Sequence, residues 1–110
     1  LCAFTAGVYM AAMGESGMKQ CARLCTSKAH YFAAALEQAG CTLRYKGEFF
    51  HEFVTECACP NCRKKILDEL AAEGILGGAV VEDGILWCVT ELVSKAQLDR
   101  AAVIVKEVLQ

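Results

Sequence analysis

The sequence predicts an α+β domain: a small, mostly antiparallel sheet with helices on one face, in the order α-α-β-β-α-β-α. Three observations lead there. Apolar residues recur at helical spacing through the first 39 positions and again in the last fifteen. Between them the period changes to the twofold alternation of strands, as in Cys41-Thr42-Leu43-Arg44-Tyr45-Lys46. Gly, Pro and Ser punctuate these segments where elements should start and stop.

Taken in order, residues 1–13 read as a first helix ended by Gly14. Ser16 then caps a second helix that runs to Ala39 and stops at Gly40. Met18, Cys21, Ala22, Cys25, Ala29, Phe32 and Leu36 form its apolar stripe. Cys21 and Cys25 lie one turn apart, a spacing at which two thiols can share a metal. Both fall within the stripe, however, so core packing is the better reading. Residues 41–46 form a first strand, Gly47 and Glu48 a turn, and Phe49–Cys57 a second strand antiparallel to it. Pro60, suited to a first helical turn, opens a third helix. Ile66, Leu67, Leu70 and Ala71 face inward there, while Arg63, Lys64, Lys65, Asp68 and Glu69 face water. Gly74, Gly77 and Gly78 break the following stretch into turns, and residues 85–90 form the third strand. Ser94 and Gln97 have the spacing of a capping box. They open a last helix with Leu98, Ala101, Ala102, Val105 and Leu109 inward.

Composition bounds the function. A chain of 110 residues is one domain, 1–110. Residues 1–39 form a helical segment and 40–110 a small α+β unit. A net charge of −2 gives nucleic acid no purchase. No apolar run reaches the roughly 18 residues that span a membrane. The apolar opening without a basic leader reads as mid-helix, the cut face of a longer protein rather than an anchor. Eight cysteines in a secreted chain would form disulfides. Here they sit inside helix and strand patterns, where buried cysteine acts as a small hydrophobe, so a reducing cytoplasm is expected.

The candidate chemistry is sparse. Cys57, Cys59 and Cys62 supply Cys-x-Cys-x-x-Cys. Zinc takes four ligands, and the fourth would have to be Cys88, Cys41 or His51. Cys59-Pro60-Asn61-Cys62 also has the spacing of a redox pair at a helix start. Loop thiols with neither role are the preferred reading, and a thiol–metal module centred on Cys57, Cys59 and Cys62 is the alternative function. His30 and His51 are assigned structural or surface roles. His51 and Glu52 should point to opposite faces of a strand, which argues against shared acid–base work. Glu52, on a strand whose inner face also carries Phe and Val, lies either buried with a donor or open to solvent. Glu91, just after the third strand, poses the same question.

The segments LCAFTAGVYMAAMGESGMKQ, KAHYFAAALEQAG, GEFFHEFVTE, EGILGG and DGILWCVTELVSKAQLDRAAVIVKEVL resemble the glycine cleavage system P-protein. Specifically, they resemble subunit 1 of its two-subunit bacterial form, glycine dehydrogenase (decarboxylating). The resemblance covers nearly the whole chain. His51 stands where the family pattern has Asn, and the thiols at 57–62 replace ordinary polar loop residues. The resemblance implies the small C-terminal domain of a pyridoxal-phosphate (PLP) enzyme of the aspartate aminotransferase type. It further implies a cytoplasmic heterotetramer that decarboxylates glycine on PLP and passes the aminomethyl group to the lipoyl arm of the H-protein. PLP would be held by subunit 2. This domain would carry no catalytic, cofactor-binding or metal-binding residue, be inactive alone, and serve packing and subunit contact. Whether His51 or Glu52 lines the active-site cleft is left open by the resemblance.

Overall fold

The computed structural model describes all 110 residues. Helix α1 (Cys2–Gln38) leads into strand β1 (Thr42–Leu43) and β2 (Glu52–Glu56). Helix α2 (Pro60–Ala72), β3 (Ala79–Val81), β4 (Gly84–Cys88) and α3 (Lys95–Leu109) follow. The α+β class, the antiparallel sheet and the placement of helices on one face are as the sequence predicts.

Gly14, at φ +65° and ψ 179°, breaks the helical path inside α1. Few side-chain-bearing residues tolerate that φ, which is why a glycine marks the bend. A straight helix of 37 residues would be about 55 Å long, more than the 47 Å longest extent of the whole molecule. The first half of α1 therefore turns at Gly14, as expected, and the helix resumes without needing Ser16 as a separate cap. Cys25, Ala29, Phe32, Ala33 and Leu36 are buried; Met18 and Ala22 of the expected stripe are exposed, because only the C-terminal half of α1 lies against the sheet and α3.

The sheet has four strands in the order β1-β2-β4-β3, all antiparallel. One more strand is present than the sequence predicts: Ala79–Val81 pairs with Gly84–Leu86 across a tight turn, with Glu82 at φ +35°. The first strand shrinks to two residues, and Tyr45 is exposed rather than aligned with Leu43. Phe53 pairs with Trp87 and Thr55 with Ile85, so these four share the covered face. Val54 lies on the other face, not with Phe53 as expected. Trp87 Nε1 donates to Thr55 Oγ1 at 2.8 Å, which satisfies both buried polar groups. Phe32 meets Trp87 and Phe53 edge-on, at centroid separations of 5.5 and 6.1 Å.

Two helices start as the sequence dictates. Cys59 caps α2 with Pro60 in its first turn, and Ser94 with Gln97 forms a complete capping box on α3. The inward faces need correction. Ile66 and Leu70 are buried in α2, but Ala71 is exposed and Arg63 is buried. The Arg63 stem lies under the preceding loop while its guanidinium donates to the Cys57 carbonyl at 2.7 Å and stands 3.8 Å from Asp83. In α3, Ile104 joins Leu98, Ala101 and Val105 in the core, whereas Ala102 is half-buried and Leu109 is exposed at the helix end.

Candidate functional site

Three groups of reactive side chains and one cavity bear on function. The first group is the thiol loop between β2 and α2. Cys59 is the N-cap of α2, and its Sγ accepts the Cys62 backbone N–H at 3.2 Å. Cys57 Sγ turns instead toward the Cys59 carbonyl, 3.8 Å away. The thiols thus serve the local turn. The places where three donor atoms converge within 4.8 Å are elsewhere: Cys21 with Cys25 and Glu91, and His51 with Glu52 and Cys88. Of the proposed fourth ligands, Cys88 and His51 belong to that second group. Cys41 does neighbour Cys57, and burial first, then Cys57, pushes its thiol up to about 11.

Cys59 and Cys62 differ in character. The Cys62 thiol and backbone N–H, both directed at Cys59, lower the Cys59 thiol below the ordinary range; Arg63 adds to this. The same contact raises Cys62. A lowered thiol holds more thiolate near neutrality, and thiolate is the nucleophile. Exposed Cys59 is therefore expected to be alkylated by iodoacetamide faster than Cys62 and Cys88 at pH 7, as read by peptide mapping over time. Equal rates at the three positions would contradict this loop geometry.

The second group corrects the strand reading. His51 lies one residue before β2, in a bend, so strict alternation with Glu52 does not apply. Its ring joins Glu52 and Cys88, which face each other across β2 and β4 on the open side of the sheet. Glu52 is exposed, which answers the question its sequence context raised. Burial, followed by the Glu52 charge, raises the Cys88 thiol. His51 Nδ1 is buried without a hydrogen-bond partner. The other histidine, His30, stacks on Phe49 at 4.1 Å, and its Nε2 lies 3.0 Å from the Phe49 carbonyl oxygen.

In the third group, the Cys25 thiol donates to a Glu91 carboxylate oxygen at 3.3 Å, and Lys28 Nζ donates to the Glu91 carbonyl. Its own backbone N–H first, and then Cys25, hold the Glu91 carboxyl below the ordinary carboxylate range. The sequence placed Cys21 and Cys25 on one helix face but gave no sign that the loop after β4 would bring Glu91 to them.

A cavity of about 330 Å³ lies between α1, the 74–78 loop, β4 and the start of α3. Phe32, Trp87, Val89 and Leu98 line its floor, and the exposed Leu76 and Leu92 stand at its mouth. Gln97 and Cys88 are its polar side chains; Lys, Arg and His are missing from the lining. A phosphorylated pyridine aldehyde needs a lysine to hold its carbonyl carbon and donors for its phosphate. The cavity supplies neither, so PLP does not fit these residues.

A sequence model of the family described as glycine cleavage system P-protein matches residues 1–105. The chain is 39% identical over 104 residues to a probable glycine dehydrogenase (decarboxylating) subunit 1 from Chlorobium limicola, covering 90% of this chain and 23% of the relative. A protein of the same name from Desulfitobacterium hafniense is 34% identical over 108 residues, covering 91% and 24%. Among solved structures, an inhibitor-bound glycine decarboxylase (P-protein) of the glycine cleavage system superposes with a TM-score of 0.80. It is 29% identical, with 92% of this chain and 24% of that one covered. The chain thus spans about a quarter of the length of the relatives it matches.

Proposed function

Because the chain belongs to the glycine cleavage system P-protein family, we propose that it is the small α+β part of a subunit-1-type glycine dehydrogenase (decarboxylating). In this reading the assembled enzyme decarboxylates glycine with PLP bound by a second kind of subunit. The aminomethyl group then passes to the lipoyl arm of an H-protein. The pairing with subunit 2, the cytoplasmic location and the small-domain assignment all belong to this proposal. The observation that carries it is the family match over residues 1–105, joined to the P-protein fold at a TM-score of 0.80.

The domain's part is contact rather than chemistry. Phe4, Val8, Tyr9 and Met10 are all exposed on the first half of α1, and Leu76 and Leu92 add apolar surface at the cavity mouth. Apolar surface of this kind suits burial against other protein. The cavity's lining offers PLP neither a lysine nor a phosphate donor, and this reading assigns the cofactor to the second subunit.

A complete subunit containing this segment, mixed with a PLP-bearing subunit 2, should associate and catalyse glycine-dependent exchange of labelled CO2. Subunit 2 alone should give at most a small fraction of that rate. A mixture that neither associates nor exchanges CO2 refutes the proposal.

A further inference from the structure

We infer that Cys21, Cys25 and Glu91 form a binding site for a thiophilic divalent cation, zinc being the natural occupant, which fastens the loop after β4 to helix α1. This inference stands apart from the proposed enzyme assignment and would hold if that assignment failed.

The geometry comes first. Cys21 and Cys25 are four residues apart on one helix, so both side chains project from the same face, one turn apart. The Glu91 carboxylate reaches them from the opposite side, and all three donor atoms lie within 4.8 Å of one another. Tetrahedral zinc, with Zn–S near 2.3 Å and Zn–O near 2.0–2.2 Å, sets its ligand atoms roughly 3.5–3.8 Å apart. The Cys25 sulfur and Glu91 oxygen already stand at 3.3 Å. Rotamer adjustments of about 1 Å would bring all three donors to the tetrahedral spacing.

The chemistry fits the same occupant. Two thiolates with one carboxylate favour zinc over the hard cations magnesium and calcium, which take oxygen ligands. Binding removes the two thiol protons to solvent as two S–Zn bonds form. The proton that Cys25 shares with Glu91 is replaced by the metal. Lys28, bonded to the Glu91 carbonyl, fixes the loop backbone from outside and offsets part of the surplus negative charge. A water molecule would complete the tetrahedron at the fourth position.

Of the six other cysteines, the three of the 57–62 loop and Cys88 of the His51–Glu52–Cys88 group could form rival sites and must be kept from contributing. Cobalt(II) is titrated into the chain with Cys57, Cys59, Cys62 and Cys88 replaced by serine. One equivalent should bind, with thiolate-to-cobalt charge transfer and the visible bands of a tetrahedral ion, and zinc should displace it. Cys25→Ser should halve the charge-transfer intensity and weaken binding at least tenfold. The half-buried Cys21→Ser should do the same, and reads the site independently should buried Cys25 be needed for folding. Glu91→Gln should weaken binding while leaving the charge-transfer intensity unchanged. Lack of stoichiometric binding in the four-serine chain, or unchanged binding after Cys21→Ser and Glu91→Gln, would overturn the site.

Discussion

Leu36→Ala is expected to lower the unfolding free energy by about 3–5 kcal/mol, a loss at the upper end for a buried leucine. Leu36 is fully buried on the half of α1 that packs against the sheet and α3. It belongs to one continuous core with Phe32, Leu70, Ile85, Trp87 and Val105. Truncation removes the transfer energy of three carbons and leaves a void that rigid neighbours cannot fill. Domains of this size have about 5–15 kcal/mol in all, so the variant would unfold with a much lower denaturant midpoint. Two companions calibrate the result. Leu36→Met keeps the volume and should cost less than about 1.5 kcal/mol. Leu76→Ala removes a 99% exposed side chain and should fall within about 0.5 kcal/mol of zero. Urea titrations of the three variants would show the core misplaced if Leu36→Ala and Leu76→Ala cost the same.

That comparison also marks what the sequence carries and what it does not. Element boundaries set by neighbouring residues were legible. Ser94 and Gln97 cap each other within one turn, Pro60 starts α2, and Gly40 and Gly74 follow their helices at φ +103° and +73°. Features that depend on another part of the chain were not. Val80 and Val81 look like part of a glycine-rich turn until Ile85 and Gly84 pair with them. Arg63 reads as a solvated cation until the Cys57 carbonyl arrives above it. The candidate sites follow the same rule. The loop carrying Cys57, Cys59 and Cys62 is conspicuous because its thiols are close in sequence, yet Cys59 caps a helix and Cys57 turns back on the loop itself. The donor sets that converge, Cys21–Cys25–Glu91 and His51–Glu52–Cys88, draw members from segments far apart in the chain. One clue was available for the second: residues flanking a strand need not obey its alternation, and His51 stands just outside β2.

Gly78→Ala should cost about 3 kcal/mol and act at one place, the pairing of β3 with β4. A β-carbon at Gly78 would sit 2.2 Å from the Leu86 carbonyl oxygen and 2.7 Å from Ile85 Cγ2. Close carbon–oxygen contacts in sheets run near 3.3–3.6 Å, so one partner must retreat by about 1 Å. The oxygen belongs to the backbone of β4, which pairs with β2 on its other side and cannot give way. The edge strand β3 yields instead. It holds only three residues and is paired on one side, so the displacement should loosen the whole strand. Gly7→Ala supplies the contrast. That helical glycine has open space around it, and alanine there should leave stability unchanged or raise it by up to about 1 kcal/mol. Hydrogen exchange separates local from global damage. In Gly78→Ala, the β3 amides should lose protection first, while Phe53, Thr55 and Trp87 stay protected until global unfolding. Because residues 74–78 also wall the apolar cavity, the same variant should open its mouth and raise binding of an apolar dye. Full protection of β3 in Gly78→Ala would show that the loop can pass β4 by another path.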